Sequence, residues 1–184
     1  MSLSVQMTQT PSNNVKLWAH HINDRIWTLH SYIFLFEIDT YNSYWKMINT
    51  MNTHFADIFK KYSLFLMKND ILPQWEDKAN IKGGCWSFKI SKTCDIHSLW
   101  NLLGSFLITD SLLCEGNEFI NGISITFKHS HYIIKLWMSI NMKYKLNNSV
   151  SEHLKEGIFQ YHNKNIKKDF KKRKFYHVTR KRQY

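Results

Sequence analysis

From Gly122 to Ile140 the residues alternate in character on either side of a tight His129-Ser130-His131 connection. Ile123, Ile125 and Phe127 fall on one face, and Thr126, Lys128 and Ser130 on the other. A period of two in consecutive segments is the pattern of an antiparallel hairpin with one buried face, and a slip of one residue would turn every apolar side chain outward. Strands are therefore expected at Gly122 to His129 and Tyr132 to Ile140. Others are expected at Val15 to Ile22, Tyr32 to Ile38, Ser63 to Met67 and Cys85 to Ile90, from their β-branched and aromatic content. Between these segments the period lengthens. Tyr41, Tyr44, Trp45 and Ile48 recur at helical spacing behind Asp39 or Thr40, either of which can cap a helix ending near Met51. Ile96, Leu99, Trp100, Leu103 and Phe106 or Leu107 form a second stripe behind a capping Asp95, and Val150, Leu154, Ile158 and Tyr161 suggest a third helix from about Ser149 to Tyr161. The expected class is α+β, an antiparallel sheet with helices on one face.

A chain of 184 residues, 43% of them hydrophobic, can bury one substantial core. Three regions are expected: a flexible N-terminal segment 1–14, a folded domain 15–160, and a basic C-terminal segment 161–184. That last segment holds ten Lys or Arg against one Asp, so +9 of the net +11 lies there. It reads either as a solvated tail or as an arm that contacts phosphates, completing the sheet or extending over RNA. No apolar run approaches the roughly 20 residues of a membrane span. Residues 1–14 lack an apolar signal core, and Cys85, Cys94 and Cys114 are odd in number without CxxC spacing. A soluble, cytoplasmic protein with free thiols is the expectation.

The chemistry concentrates in Pro73-Gln74-Trp75-Glu76-Asp77, which shows neither helical nor strand period and so reads as an exposed loop. A glycine turn at Gly83-Gly84 leads from it into Trp86. An aromatic face attracts a flat cation by about 0.5 to 2 kcal/mol, and an adjacent carboxylate can accept paired N–H donors from its edge. Trp27 supplies a second candidate face. A 7-methylated guanine offers both the charge and the donors. No Gly-rich phosphate loop, zinc spacing, glutamate-rich hydrolase motif or nucleophile with its base is evident, so a binding protein without metal or cofactor is expected rather than an enzyme. His20-His21 and His129/His131 read as surface or satisfied histidines.

The block 73–86, PQWEDKANIKGGCW, resembles the signature of the eukaryotic translation initiation factor 4E family, which binds the 5′ cap of messenger RNA. The order of tryptophans extends the resemblance over Pro11 to Trp137: Trp18 in KLWAHH, Trp27 in the following loop, Trp45 in DTYNSYW, Trp75 and Trp86 in the block, Trp100 in HSLW, and Trp137. The abundance of Lys, Ile and Asn, with alanine only at positions 19, 56 and 79, suggests an AT-rich genome such as a protist's or a large DNA virus's. The resemblance implies a curved antiparallel sheet with about three helices on its convex face and the cap pocket on the concave side. It implies that Trp27 and Trp75 sandwich the methylated base, Glu76 accepts from its N1 and N2 groups, and Trp137 meets the methyl group.

On the phosphate side Lys128 matches the family's basic pattern, but Ser130 and Ile133 stand at the next two basic positions and Cys85 replaces an arginine. Lys135, two residues before Trp137 and so on the same strand face, is the expected replacement contact. For partners, the resemblance implies capped messenger RNA, and a helical peptide from a scaffold or repressor resembling initiation factor 4G or a 4E-binding protein. That peptide would dock on Trp45, with Tyr41 one turn earlier. Asn101, Leu102 and Ser105 depart from the family's apolar-acidic-apolar pattern, so an altered partner is expected. Competing expectations are a repressor using the same pocket, and a cap-independent single-strand RNA binder relying on the tail's charges and on Tyr161, Phe170, Phe175, Tyr176 and Tyr184.

Overall fold

A computed structural model of the chain describes residues 10–54, 57–155 and 157–162. Seven strands form one antiparallel sheet in the order β2-β1-β3-β5-β6-β4-β7. They are β1 (Val15–His21), β2 (Tyr32–Ile38), β3 (Tyr62–Lys68), β4 (Gly84–Ser91), β5 (Ile120–Lys128), β6 (His131–Met138) and β7 (Gly157–Tyr161). Two long helices, α1 (Tyr41–His54) and α3 (Ile96–Ile108), and two single turns, α2 (Ile58–Lys61) and α4 (Asn148–Ser151), join them. Both long helices start where local hydrogen bonding favours it. Thr40 and Ser43 exchange backbone and hydroxyl bonds at 3.1 Å in each direction, and Asp95 accepts from the Ser98 amide at 3.2 Å.

The main core lies on the helical face. Ile123, Ile125, Ile134, Leu136, Trp86 and Phe88 from the sheet meet Tyr44, Met47, Ile48, Leu99, Trp100 and Leu103 from the helices. The hairpin register is the one that alternation requires, with Ile125 opposite Ile134 and Ser124 opposite Lys135. The tryptophans divide by role. Trp86 and Trp100 belong to this core, Trp18 and Trp137 lie on the other face, and Trp27, Trp45 and Trp75 are exposed.

The third long helix expected over Ser149 to Tyr161 does not form. Val150 and Leu154 are buried as a helical spacing demands, but the helix stops at Ser151 and residues 157–161 become β7, pairing Phe159 with Trp86. The open edge of β4 supplies a hydrogen-bonding partner that local periodicity cannot reveal. Gly157 disfavours helix, and a Cβ there would lie 2.7 Å from the Phe88 ring. Gly83-Gly84 also serves packing rather than turn conformation. Neither has a positive φ, yet a Cβ on Gly83 would lie 1.8 Å from the Met138 carbonyl oxygen and one on Gly84 2.4 Å from that of Gln160. Of the C-terminal basic segment, only Tyr161 and His162 fall within the described residues.

Candidate functional site

The concave face carries its own small core of Phe65, Met67, Cys85 and Trp137, with Trp18, Tyr32 and Ile71 packed against it. Two loops reach this face from opposite ends of the strands. β1 leaves the sheet at His21 beside Tyr62, whereas β3 leaves at Lys68 beside Val15. The connection 22–31, which holds Trp27, and the connection 69–83, which holds Trp75, therefore start at opposite ends. Both fold over the floor, because ring contacts run unbroken between them. Centroid separations are 6.1 Å from Trp27 to Tyr32, 5.5 Å to Phe65, 6.1 Å to Trp137, 4.9 Å to His162 and 5.9 Å to Trp75. Trp27 is 52% exposed and Trp75 40%, so each leaves indole surface free for a ligand.

Each of these tryptophans is backed by a histidine lying parallel to it. His20 stacks on Trp27 at 3.8 Å and 6°, and His162 on Trp75 at 5.9 Å and 6°. Each histidine also grips the loop that carries its tryptophan. His20 Nε2 donates to the Ile26 carbonyl at 2.8 Å, which assigns its proton to Nε2, and its buried Nδ1 has no hydrogen-bond partner. His162 Nδ1 donates to the Asn80 carbonyl at 2.9 Å, leaving Nε2 to accept the Cys85 thiol at 3.0 Å. Burial holds His162 below its ordinary 6.5, reinforced by the Lys135 charge and opposed by the Asn80 bond and by Glu76. Burial likewise pushes the Cys85 thiol up to about 12, so it stays protonated and able to donate.

The Trp75 loop is held from within. Asp77 accepts from the amides of Leu72 at 3.1 Å and Ala79 at 2.8 Å. Buried Asn80 donates to the carbonyls of Leu72 at 2.9 Å and Gln74 at 2.8 Å, and accepts from Asn121 at 2.9 Å. The adjacent carboxylates thus have different fates: Asp77 is used up by the loop, whereas Glu76 is exposed. Its charge reaches both Tyr32, whose hydroxyl is pushed well up by burial and then by Glu76, and His162.

On the floor, Trp137 is buried and its Nε1 donates to Ser124 at 2.9 Å, while the Lys135 ammonium stands 5.7 Å from the Trp75 ring centroid. Lys128 is exposed at the far end of β5, paired with His131. Trp27, Trp75, Glu76, Trp137 and Lys135 thus gather on one face, with Lys128 at its margin. On the helical side Trp45 is 50% exposed on α1 and Tyr41 is half-buried, and the Tyr44 hydroxyl donates to the Asn101 carbonyl of α3 at 2.6 Å. Sequence reasoning missed His20, His162 and Asn80 as supports. His20 was legible, two residues after Trp18 and hence on the same face. His162, beyond an apparent helix, gave no such signal. Among the described residues no group of three or more His, Cys, Asp or Glu could hold a metal ion, and no helix is long and apolar enough to cross a membrane.

Residues 12–183 match the family model for eukaryotic initiation factor 4E. Eukaryotic translation initiation factor 4E of Saccharomyces cerevisiae is 33% identical over 100 residues, covering 53% of this chain and 46% of that protein. Its Candida albicans counterpart is 30% identical over 99 residues, covering 52% and 47%. The chain thus spans about half the length of the curated relatives it matches. Among solved structures, schistosome eIF4E complexed with m7GpppG and 4E-BP superposes with a TM-score of 0.67 at 18% identity, covering 84% of this chain and 88% of that one. Ascaris suum eIF4E-3 with m7G cap gives 0.65 at 21% identity, covering 74% and 77%. The fold is shared with both structures, and the family match extends from the first strand into the basic segment: the chain belongs to the eukaryotic initiation factor 4E family.

Proposed function

We propose that this chain binds the 7-methylguanosine 5′ cap of messenger RNA in the cytoplasm and recruits the message for translation initiation without chemical catalysis. The observation that carries the reading is the pair of half-exposed indoles, Trp27 and Trp75, folded over one aromatic floor from opposite ends, with the exposed Glu76 carboxylate directly following Trp75 in the loop. In this reading the charged base enters between the rings, Glu76 accepts from its N1 and N2 groups, and the methyl group lies toward Trp137. Lys135 meets the first phosphate, and Lys128 adds long-range attraction from the margin of the face. Two aromatic faces, at about 0.5 to 2 kcal/mol each, give roughly a fivefold or greater preference for methylated over unmethylated guanine. The basic segment 161–184 adds a salt-sensitive increment with RNA.

On the helical face, Trp45 and Tyr41 receive a helical peptide from a scaffold or repressor resembling initiation factor 4G or a 4E-binding protein. Asn101, Leu102 and Ser105 shift its specificity. The schistosome eIF4E complexed with 4E-BP supports this pairing by analogy. Calorimetric titration of the chain and of Trp75→Ala with methylated and unmethylated GTP tests the cap reading. Tight binding of the methylated form alone, lost in the variant, is expected; equal affinity for both nucleotides would overturn it.

A further inference from the structure

The four central strands, β3, β4, β5 and β6, contain no aspartate or glutamate, and their charges are Lys68, Lys89, Lys128 and Lys135. Lys68 is neutralised by Asp110 at 2.5 Å. The other three have no carboxylate within 4.0 Å among the described residues. Their positions along the strands place all three on the concave face. Lys135 alternates with the core residues Ile134 and Leu136, Lys89 with Phe88 and Ile90, and Lys128 follows the parity of Ser124. This face therefore holds an uncompensated cationic strip that begins beside Trp75.

The register orders that strip. Lys135 pairs with Ser87 on β4 and Ser124 on β5. Two residues further along, about 7 Å, β6 presents Ile133, but Ile133 pairs with Lys89 on β4 and with Thr126 on β5. Lys128 comes level only with His131, about 13 Å beyond Lys135. An anionic chain leaving Lys135 thus meets Lys89 before Lys128, with the Ser87 hydroxyl on the way.

We propose that Lys89 is a specificity-determining contact for the distal phosphates of the ligand, so that the polyphosphate crosses from β6 to β4 rather than following the β5–β6 hairpin. This rests on the cap reading above and assigns a route that neither the motif nor the resemblance indicates. Lys89 is exposed and mid-strand, so its replacement spares the core.

The test compares binding of 7-methylguanosine monophosphate and triphosphate to the full chain and to Lys89→Gln, Lys89→Arg and Lys128→Gln. Lys89→Gln is expected to weaken the triphosphate about three- to fivefold, the scale of one exposed charge pair, while the monophosphate changes less than twofold. Lys89→Arg should keep the increment, and Lys128→Gln should cost less than Lys89→Gln. An unchanged triphosphate affinity in Lys89→Gln, an equal loss for both ligands, or a larger loss in Lys128→Gln would overturn the assignment. A wild-type chain that binds neither ligand would overturn the cap reading itself.

Discussion

At the scale of single residues, the site depends on two histidines that do not themselves need to touch a ligand. His20 fixes Trp27 by a parallel ring contact and a bond to the neighbouring carbonyl. His20→Ala is expected to weaken methylated-nucleotide binding about three- to tenfold, the range of a lost stacking partner. His20→Phe should restore most of it, and fluorescence titration of the indoles reads both. His162 makes stability depend on pH. Its folded value lies below the ordinary 6.5, so the unfolded chain binds more protons in that interval and stability falls as pH drops beneath about 6.5, being fully present above it. Urea midpoints at pH 7.5 and 5.5 should differ more in the wild type than in His162→Gln, because only the former carries a ring that burial holds neutral in the folded state.

At the scale of elements, the Trp75 loop is a preformed platform rather than a floppy connection. Asn80 secures it by bonds to two loop carbonyls and to Asn121. Asn80→Ala leaves those groups without their partner and should cost about 2 to 3 kcal/mol in thermal or urea unfolding, with a parallel loss of ligand affinity as Trp75 loosens. The elements also mark where sequence reading succeeds. The β5–β6 hairpin, α1 and α3 were legible because their patterns are local: alternation that buries Ile123 and Ile125, a stripe through Leu99 and Leu103, a cap at Asp95. β7 was not, because what makes residues 157–161 a strand is the distant edge of β4. Ile158, which fits the helical spacing of Val150 and Leu154, ends 75% exposed. The Gly83-Gly84 pair was legible as important but not in its cause, which is the approach of the β6 and β7 backbones.

At the scale of the whole molecule, one sheet separates two kinds of burial. Its helical face is a conventional core that leaves Trp45 exposed, and its concave face is an aromatic floor bounded by loops from opposite ends. The tryptophan order made Trp27, Trp75 and Trp137 legible as candidates, since large aromatics in loops and at fixed spacing leave a strong trace. How Trp75 is supported was not legible, because His162 reaches it only after β7 has paired. The central claim is that Trp27 and Trp75 close on a single positively charged base. A crystal structure of the chain with 7-methylguanosine diphosphate tests it most directly. The methylated ring is expected between the two indoles, with Glu76 on its N1–N2 edge; a nucleotide seated elsewhere, or stacked on neither tryptophan, would contradict the claim.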